Sequence, residues 1–246
     1  MASSGTDAII SLAGFRVTST LLATLLVDAV ILLLVFAVRR RLSLVPGKLQ
    51  GAAEAVIDYL LTTTEQVAGS RAAKIFPWVA VFFLYIAFSN LVGLLPGFST
   101  IGFYRGTGFV PLLHVSTSDL NLTLALAVVS VVATNALAIR MTGIGTYLKR
   151  FFALNPLLLF VGLLELLQEA TKFITFSFRL YGNISAGEMV LGTLPTLSTL
   201  VAFVVPVPFL ALEILVAVIQ GMIFALLTMA FMTILTEPHE KEGAHE

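Results

Sequence analysis

An arginine stands inside a long apolar run, in the stretch FSFRLYGNISAGE at residues 176–188. Arg179 is followed four residues later by Asn183 and nine residues later by Glu188. An arginine at bilayer depth costs at least about 2.5–3.5 kcal/mol, so such residues usually face protein or water and serve a purpose. We therefore predict a functional site at Arg179. The alternative is a structural arginine that pairs with Glu165 or Glu169, or that reaches an interface.

Most polar residues of this stretch share one face of a helix. At about 100° per residue, a single stripe contains Glu165, Glu169, Lys172, Arg179 and Asn183. Glu188 lies on the opposite side, because nine residues correspond to about 900°. The ionisable side chains are therefore expected to face two different compartments.

The last apolar segment carries a second pair of polar residues. Glu213 and Gln220 are seven residues apart and nearly superpose on one helix face. Gly221 follows, and a glycine allows another helix to approach closely. Together with the arginine stretch, this pair predicts a polar seam through the bilayer. Such seams conduct protons or ions.

Three further polar residues have open interpretations. Asp28, inside the first apolar run, could pair with a neighbour or line a water pocket. His114 and Asp119 in a polar loop could admit protons, although loop histidines are more often simply solvated. The sequence has no metal-ligand spacing, glycine-rich phosphate loop or nucleophile–base pair, so neither a metal nor a cofactor is expected.

The elements that hold these residues are predicted to cross a membrane. Of 246 residues, 58% are hydrophobic and 11% are charged, and the mean hydropathy is +1.01. A soluble domain of this length cannot hide that much apolar surface. Basic and acidic residues both number 14, so no nucleic-acid partner is indicated. The absence of cysteine excludes disulfides and thiolate sites, and the first residues do not resemble a secretory signal.

We predict an all-α integral membrane protein of one domain, with five spans and a surface helix. A bilayer core of about 30 Å requires roughly 20 apolar residues per helix. The expected spans are 17–38, 75–97, 119–139, 156–192 and 197–236, and 42–74 is expected to be a cytoplasmic amphipathic segment. The last two spans would each be on the order of 50–60 Å long, so each either breaks or tilts strongly. A tilted hairpin is the favoured arrangement.

The distribution of basic residues predicts the orientation. With the N-terminus outside, the outer segments hold two basic residues, Arg16 and Arg105. The cytoplasmic segments then hold ten, which are Arg39, Arg40, Arg41, Lys48, Arg71, Lys74, Arg140, Lys149, Arg150 and Lys241. Because cytoplasmic loops carry the excess of Lys and Arg, we expect an outer N-terminus and a cytoplasmic C-terminus.

Several stretches resemble landmarks of one family. FSFRLYGNISAGE is similar to the signature of the a subunit of rotary F-type ATP synthases, in which an arginine precedes Gly-Asn and then an acid after small residues. Other stretches similar to that family are LVPGKLQGAAEAVIDYL, NLVGLLPG, TSDLNLTLALA and IQGMIFALLTMAFM. The resemblance covers most of the chain, and the combination is far more specific than the arginine alone.

The resemblance implies a stator subunit of the membrane sector, Fo or CF(0), that couples proton flow to rotation and ATP synthesis. It implies two aqueous half-channels beside a ring of c subunits, whose carboxylates face an essential arginine. The implied partners are the c-subunit ring, b-type peripheral stalk subunits, the rest of the F1Fo complex and membrane lipid. No ATP-hydrolysing site is implied on this chain, and the implied location is the bacterial plasma membrane.

The family's functional residues map onto this sequence by position. Arg179 matches the essential arginine, and Asn183 matches its neighbouring amide. Glu188 matches an acid of the outer half-channel, and Gln220 matches the polar partner across the hairpin. Glu213 matches a position that is an acid or a histidine in the family. Three residues nearer the cytoplasm could line the inner half-channel, and they are Glu165, Glu169 and Lys172. The alternative is a structural ion pair between Glu169 and Lys172, which are three residues apart.

Two other classes of membrane protein also bury charges. A secondary transporter is expected to show interrupted helices in two related halves, and this sequence shows neither. An intramembrane enzyme needs a nucleophile with a base, or a metal cluster, and no such set is found in the spans.

Overall fold

Long apolar helices make up most of the protein. The computed structural model describes residues 8–12, 15–40, 42–95, 101–105, 108–113, 119–145, 147 and 206–237, together with scattered residues between 160 and 193. Within these residues, four helical stretches are long and apolar enough to cross a membrane. The expectation of a mainly helical membrane protein is therefore confirmed at this level.

Five α-helices and two short antiparallel hairpins follow one another along the described chain. Hairpin β1–β2 directly precedes α1, and hairpin β3–β4 lies between α3 and α4. The helices are α1 (Ser19–Arg40), α2 (Lys48–Ala68), α3 (Ala72–Gly93), α4 (Leu120–Thr142) and α5 (Pro206–Leu235). The strands are β1 (Ala8–Leu12), β2 (Phe15–Thr18), β3 (Gly102–Arg105) and β4 (Gly108–Pro111).

The hairpins were not anticipated, because each strand has only four or five residues. The described residues between 160 and 193 include helical ones, but not a continuous run. The fifth span and the tilted hairpin therefore remain predictions.

Local signals explain where several helices begin and end. Thr18 Oγ1 accepts a hydrogen bond from the backbone N–H of Leu21, and Asp119 accepts one from the N–H of Asn121. Both satisfy donors that a helix start leaves free. Gly69 and Gly143 have φ of +55° and +81°, and they end α2 and α4 in a conformation that side chains rarely adopt. Gly69 therefore separates α2 from α3, and α3 begins at Ala72, three residues before the predicted span 75–97.

Helices α3 and α5 form the most extensive helix–helix contact among the described elements. They approach closely at Gly221, where an added Cβ would lie 3.1 Å from the Cβ of Ala87 and 3.2 Å from the carbonyl oxygen of Phe83. A glycine at this point allows the two backbones to meet. The core around this contact takes side chains from α2, α3, α4 and α5, including Leu60, Ile75, Ala133 and Met232.

The two helices run in opposite directions. Near the start of α3, Arg71 donates a hydrogen bond of 2.9 Å to the carbonyl oxygen of Thr233, close to the end of α5. Arg71 also lies 3.4 Å from Thr236 Oγ1 and 3.9 Å from a carboxylate oxygen of Glu237. A guanidinium is favourable there because the last carbonyls of a helix are unpaired and carry partial negative charge. Arg71 thus anchors the end of α5.

Hairpin β3–β4 follows α3 and precedes α4. We call the end of the bundle where α3 ends, and where α4 and α5 begin, the hairpin end. α5 and α4 run in the same direction, since the Ser130 and Thr228 hydroxyls lie 3.0 Å apart while Ala127 packs with Phe224. α1 lies at the periphery, and many of its apolar side chains, such as Leu32 and Leu33, are exposed. In a bilayer that surface faces lipid or another subunit.

Candidate functional site

Glu213 is the acid of α5, and its carboxylate lies against a backbone from the preceding segment. An added Cβ on Gly187 would overlap Glu213 Oε1 and would lie 3.1 Å from Glu213 Cδ. Gly187 is helical and buried, and Glu213 Oε2 is buried as well. The carboxylate therefore occupies the space that a side chain at position 187 would fill. Glu188 follows Gly187 directly, but it lies outside the described residues.

Gln220 lies two turns further along α5 and is 4% exposed. It precedes Gly221, so the close approach of α3 and α5 occurs beside it. Seven residues correspond to about 10 Å along a helix axis, which places Gln220 deeper in the bundle than Glu213. The two residues therefore lie at two different depths on one side of α5.

Asn90 is a buried amide of α3 that sequence reasoning did not single out. It is 1% exposed, in a helix that is otherwise mainly apolar. Ala87 faces Gly221, and α3 runs opposite to α5, so Asn90 lies within about one helical turn of the level of Gln220. The signal was present in the sequence, because Ser89-Asn90 interrupts an apolar span. A polar pair at that depth already indicates a site.

These positions outline a polar route that starts near the hairpin end. Glu213 lies seven residues from Pro206, the first residue of α5, and therefore about 10 Å from the start of the helix. Asn90 lies three residues from the end of α3. An acid followed by two buried amides can hold water and pass protons, since amides both donate and accept hydrogen bonds.

Asp119 has a structural role in the fold. Its carboxylate accepts hydrogen bonds from the backbone N–H of Asn121 at 2.9 Å and from Asn121 Nδ2 at 3.0 Å, which caps α4. This capping explains an acid at that position. A part in proton entry stays a prediction.

The remaining predicted site residues lie outside the described residues. They are Arg179, Asn183, Glu188, Glu165, Glu169, Lys172 and His114.

Described helical residues around Arg179 share one exposed face. Ile174, Phe178 and Met189 are 55%, 59% and 71% exposed, and Gly182 and Ala186 are exposed beside them. At about 100° per residue, these five positions fall within one side of a helix. No described atom lies within 4 Å of a Cβ added at Gly182. Large apolar side chains and small residues therefore form a surface that the described chain leaves open.

The opposite side of this stretch is buried. Ser177 is fully buried, and Gly187 meets Glu213. Among the described residues between 174 and 189, one set is therefore buried, with Gly187 against Glu213 of α5, and the set on the other side is exposed.

Comparison with known proteins gives a consistent result. The sequence profile of the family described as ATP synthase A chain matches residues 20–233. The chain is 31% identical to ATP synthase subunit a 1 of Hahella chejuensis over 218 residues, which cover 88% of this chain and 83% of that protein. It is 32% identical to ATP synthase subunit a 3 of Pelobacter propionicus, with 85% and 83% covered. It is 28% identical to ATP synthase subunit a of Moorella thermoacetica, with 90% and 92% covered.

Proposed function

The chain belongs to the ATP synthase A chain family, and from that membership we propose that it forms the stator side of a proton path with two half-channels. It is an integral membrane protein, the proton-translocating subunit of the Fo sector and a component of the F1Fo complex. The proposal concerns the route of the proton, the role of Arg179 and the partners that touch this chain.

The observation that carries the proposal is the position of a partly buried acid, Glu213, and a buried amide, Gln220, at two depths of one apolar helix. Glu213 lies against Gly187 near the hairpin end, and Gln220 lies about 10 Å deeper. Ionisable and polar groups inside a membrane are costly, so their presence usually marks a pathway for ions or protons. We assign Glu213, Gln220 and Asn90 to the outer half-channel, together with Glu188.

Arg179 is proposed as the fixed cation that faces the ring of c subunits. A ring carboxylate must be neutral against lipid, because an isolated charge in a low dielectric costs many kcal/mol. Beside a guanidinium the ionised form is stabilised, so an arriving carboxylic acid releases its proton into one half-channel. The carboxylate that leaves takes up a proton from the other half-channel. Arginine suits this role because it stays charged at any physiological pH.

The fixed charge also explains why proton flow is coupled to rotation of the ring. A proton cannot pass directly from one half-channel to the other, because the guanidinium repels it. Net transfer then requires the ring to turn. One charge that crosses 100 mV releases about 2.3 kcal/mol, so several crossings are needed for each ATP. A ring of several subunits provides them.

The exposed face of residues 174–189 is the proposed contact with the ring. Exposed large apolar side chains next to Gly182 and Ala186 suit a second helix packed at short distance. By helical periodicity Arg179 lies about 80° from the centre of this face, and Asn183 about 120°. The b-type stalk subunits and lipid are proposed to cover other surfaces, which include the exposed side of α1.

The remaining proposals concern the inner half-channel and the orientation of the chain in the membrane. The inner half-channel is assigned to the segment with Glu165, Glu169 and Lys172, and a structural pair between Glu169 and Lys172 is the alternative. Ten basic residues in the cytoplasmic segments favour an outer N-terminus and a cytoplasmic C-terminus. The hairpin end then faces the outside.

The proposal is tested by replacing Arg179 with alanine in the intact complex. ATP-driven proton pumping into inverted vesicles is expected to fall to background, while ATP hydrolysis by the detached soluble head continues, since that site is not on this chain. Arg140→Ala is the matched control, because Arg140 is an exposed arginine in the last turn of α4. Pumping by Arg179→Ala at the level of Arg140→Ala would contradict the proposal.

A further inference from the structure

The loop between α1 and α2 presents apolar side chains that the described chain leaves uncovered. Leu44 is fully exposed, Val45 is 84% exposed, and Leu42 is exposed beside them. Exposed apolar groups that stand close together mark a surface for a membrane or for another protein. The loop is therefore a candidate docking surface.

Gln50 of α2 holds this loop in one conformation. Its side chain accepts a hydrogen bond of 3.1 Å from the backbone N–H of Ser43 and donates one of 3.0 Å to the Ser43 carbonyl oxygen. Gln50 Nε2 also donates to a carboxylate oxygen of Glu54 at 2.7 Å. The Ser43 hydroxyl donates to the carbonyl oxygen of Val45 at 2.6 Å. Because these bonds fix the loop backbone, the apolar side chains are preformed for binding, which lowers the entropy lost when a partner binds.

The loop lies at the boundary of the bilayer. Helix α1 has 22 residues and is therefore about 33 Å long. A hydrocarbon core is about 30 Å thick, so one passage of α1 leaves Arg39 and Arg40 at the level of the lipid headgroups. The loop follows directly after them. Apolar side chains at this level reach the boundary between headgroups and acyl chains.

Helix α2 continues the same surface, because it has an apolar side and an acidic side. Leu49, Val56 and Val67 are exposed, and they lie within about 20° of one another around the helix. Exposed acids lie about 140–180° from this stripe, and they are Glu54, Asp58 and Glu65. When the apolar stripe rests on a bilayer, the acids face water. This is the arrangement of a helix that lies in a membrane interface.

Basic side chains stand on both sides of the loop. Arg39 and Arg40 end α1, and Lys48 begins α2. All three are exposed, and none forms a salt bridge with a residue that the structure describes. The Arg40 guanidinium lies 4.4 Å from the centre of the Phe36 ring, one turn back along α1. Since Phe36 is itself exposed, this contact places a cation on the outer surface of α1.

We propose that the loop between α1 and α2 binds anionic phospholipid. Leu44 and Val45 enter the acyl region, while the headgroup phosphates are bound by Arg39, Arg40 and Lys48. Charge complementarity favours this occupant, because each basic residue near an anionic membrane surface strengthens binding by about fivefold. A zwitterionic lipid offers no such attraction. This lipid site is separate from the proton path and does not depend on it.

The first test measures the depth of the loop by fluorescence quenching in the assembled complex. The chain has no cysteine of its own, so Leu44→Cys can carry a fluorophore, and Asp58→Cys on the acidic side of α2 is the matched control. The complex is placed in vesicles of phosphatidylcholine and phosphatidylglycerol with a spin label on one acyl chain. A complex without the introduced cysteine gives the background signal.

We expect the spin-labelled lipid to quench the fluorophore at Leu44→Cys and to leave the one at Asp58→Cys bright. If the Leu44→Cys probe is quenched no more than the control, the proposal is wrong, and a protein subunit or water covers the loop instead.

The second test identifies the lipid. Quenching at Leu44→Cys by spin-labelled phosphatidylglycerol is compared with quenching by spin-labelled phosphatidylcholine at equal mole fraction. The local ratio is expected to favour phosphatidylglycerol by at least about fivefold, which corresponds to about 1 kcal/mol. Added salt is expected to lower this ratio, because it screens exposed charges.

Charge variants show which residues select the lipid. Replacing Arg39, Arg40 and Lys48 together by glutamine is expected to remove most of the preference, whereas lysine in place of both arginines keeps it. Arg140→Gln is the matched control, because Arg140 is an exposed arginine at the end of α4, which packs on α5.

Three results would overturn the choice of an anionic lipid. They are equal quenching by the two labelled lipids, a ratio that salt does not change, and a glutamine triple variant that keeps the native ratio. The salt dependence of the native complex decides the question even if the triple variant fails to assemble. Neither test measures pumping, so a failure here is distinguishable from a failure of the role proposed for Arg179.

Discussion

Replacing Gly221 with valine perturbs a close contact between α3 and α5. The Cβ alone would lie 3.1 Å from the backbone nitrogen and from the Cβ of Ala87, and 3.2 Å from the carbonyl oxygen of Phe83. Two of these three atoms belong to a helix backbone, which cannot rotate aside as a flexible side chain does. The valine methyls need still more room, so α5 must move away from α3.

The expected loss of free energy of the α3–α5 contact in Gly221→Val follows from two opposing effects. Overpacking of a core costs typically about 1–3 kcal/mol, and backbone neighbours place this site in the upper part of that range. Valine is a better helix former than glycine, which returns about 0.3–0.5 kcal/mol. We therefore expect a net loss of about 1.5–2.7 kcal/mol from the α3–α5 contact. Since 1.4 kcal/mol is a factor of ten, the open state of this contact becomes about 10- to 85-fold more populated.

The assay is the reaction rate of a cysteine introduced at Ala225, which is fully buried one turn from Gly221. A small neutral thiol reagent reaches this position when α5 separates from α3, so the rate follows the open population. Gly51→Val is the matched control, because the nearest atom to a Cβ at Gly51 is Pro46 Cβ at 4.0 Å. The control is expected to leave the Ala225→Cys rate unchanged. If Gly221→Val reacts no faster than Gly51→Val, α3 and α5 do not meet at Gly221.

Two further changes test the same bundle. Arg71→Leu removes charged hydrogen bonds to the end of α5, each worth about 1.5–3 kcal/mol, so protease cleavage after α5 should become faster. Lys74→Leu, which removes an exposed charge one turn away, should leave cleavage unchanged, and equal cleavage in both variants would argue against the anchor. A double-mutant cycle with Ser130→Ala and Thr228→Ala should show a coupling energy of about 0.6 kcal/mol in the stability of the complex, the average for hydrogen bonds between membrane helices. Strictly additive effects would mean that the two hydroxyls do not bond.

Much of the helical framework was predictable because its signals are local. An apolar run of about 20 residues matches the bilayer thickness, and this criterion predicted spans that correspond to α1, α3, α4 and α5. The hairpins carry no comparable signal, since strands of four or five residues are short. The pattern of apolar and charged residues predicted a division between residues 74 and 75, but the helices divide at Gly69, because its backbone conformation ends α2.

The candidate site was predictable in part. Glu213 and Gln220 stand out because polar residues are rare in an apolar segment, and their spacing places them on one face. Asn90 carries the same signal but was not recognised as a site residue. Asp119 caps α4 because it lies directly before the first residue of that helix. This role could be predicted only if the start of the helix were known within one residue.

The sequence by itself determined that this protein lies in a membrane and belongs to its family, because composition, span length and motifs can be read without knowing any contact. Tertiary structure alone decided which side chains meet. Helical periodicity fixes the face on which a residue lies, but not the helix that packs on that face. Arg71 and Thr233 are 162 residues apart in the chain, yet they are joined by a hydrogen bond. The contacts of Glu213 with Gly187 and of Ser130 with Thr228 arise in the same way, from packing between distant segments.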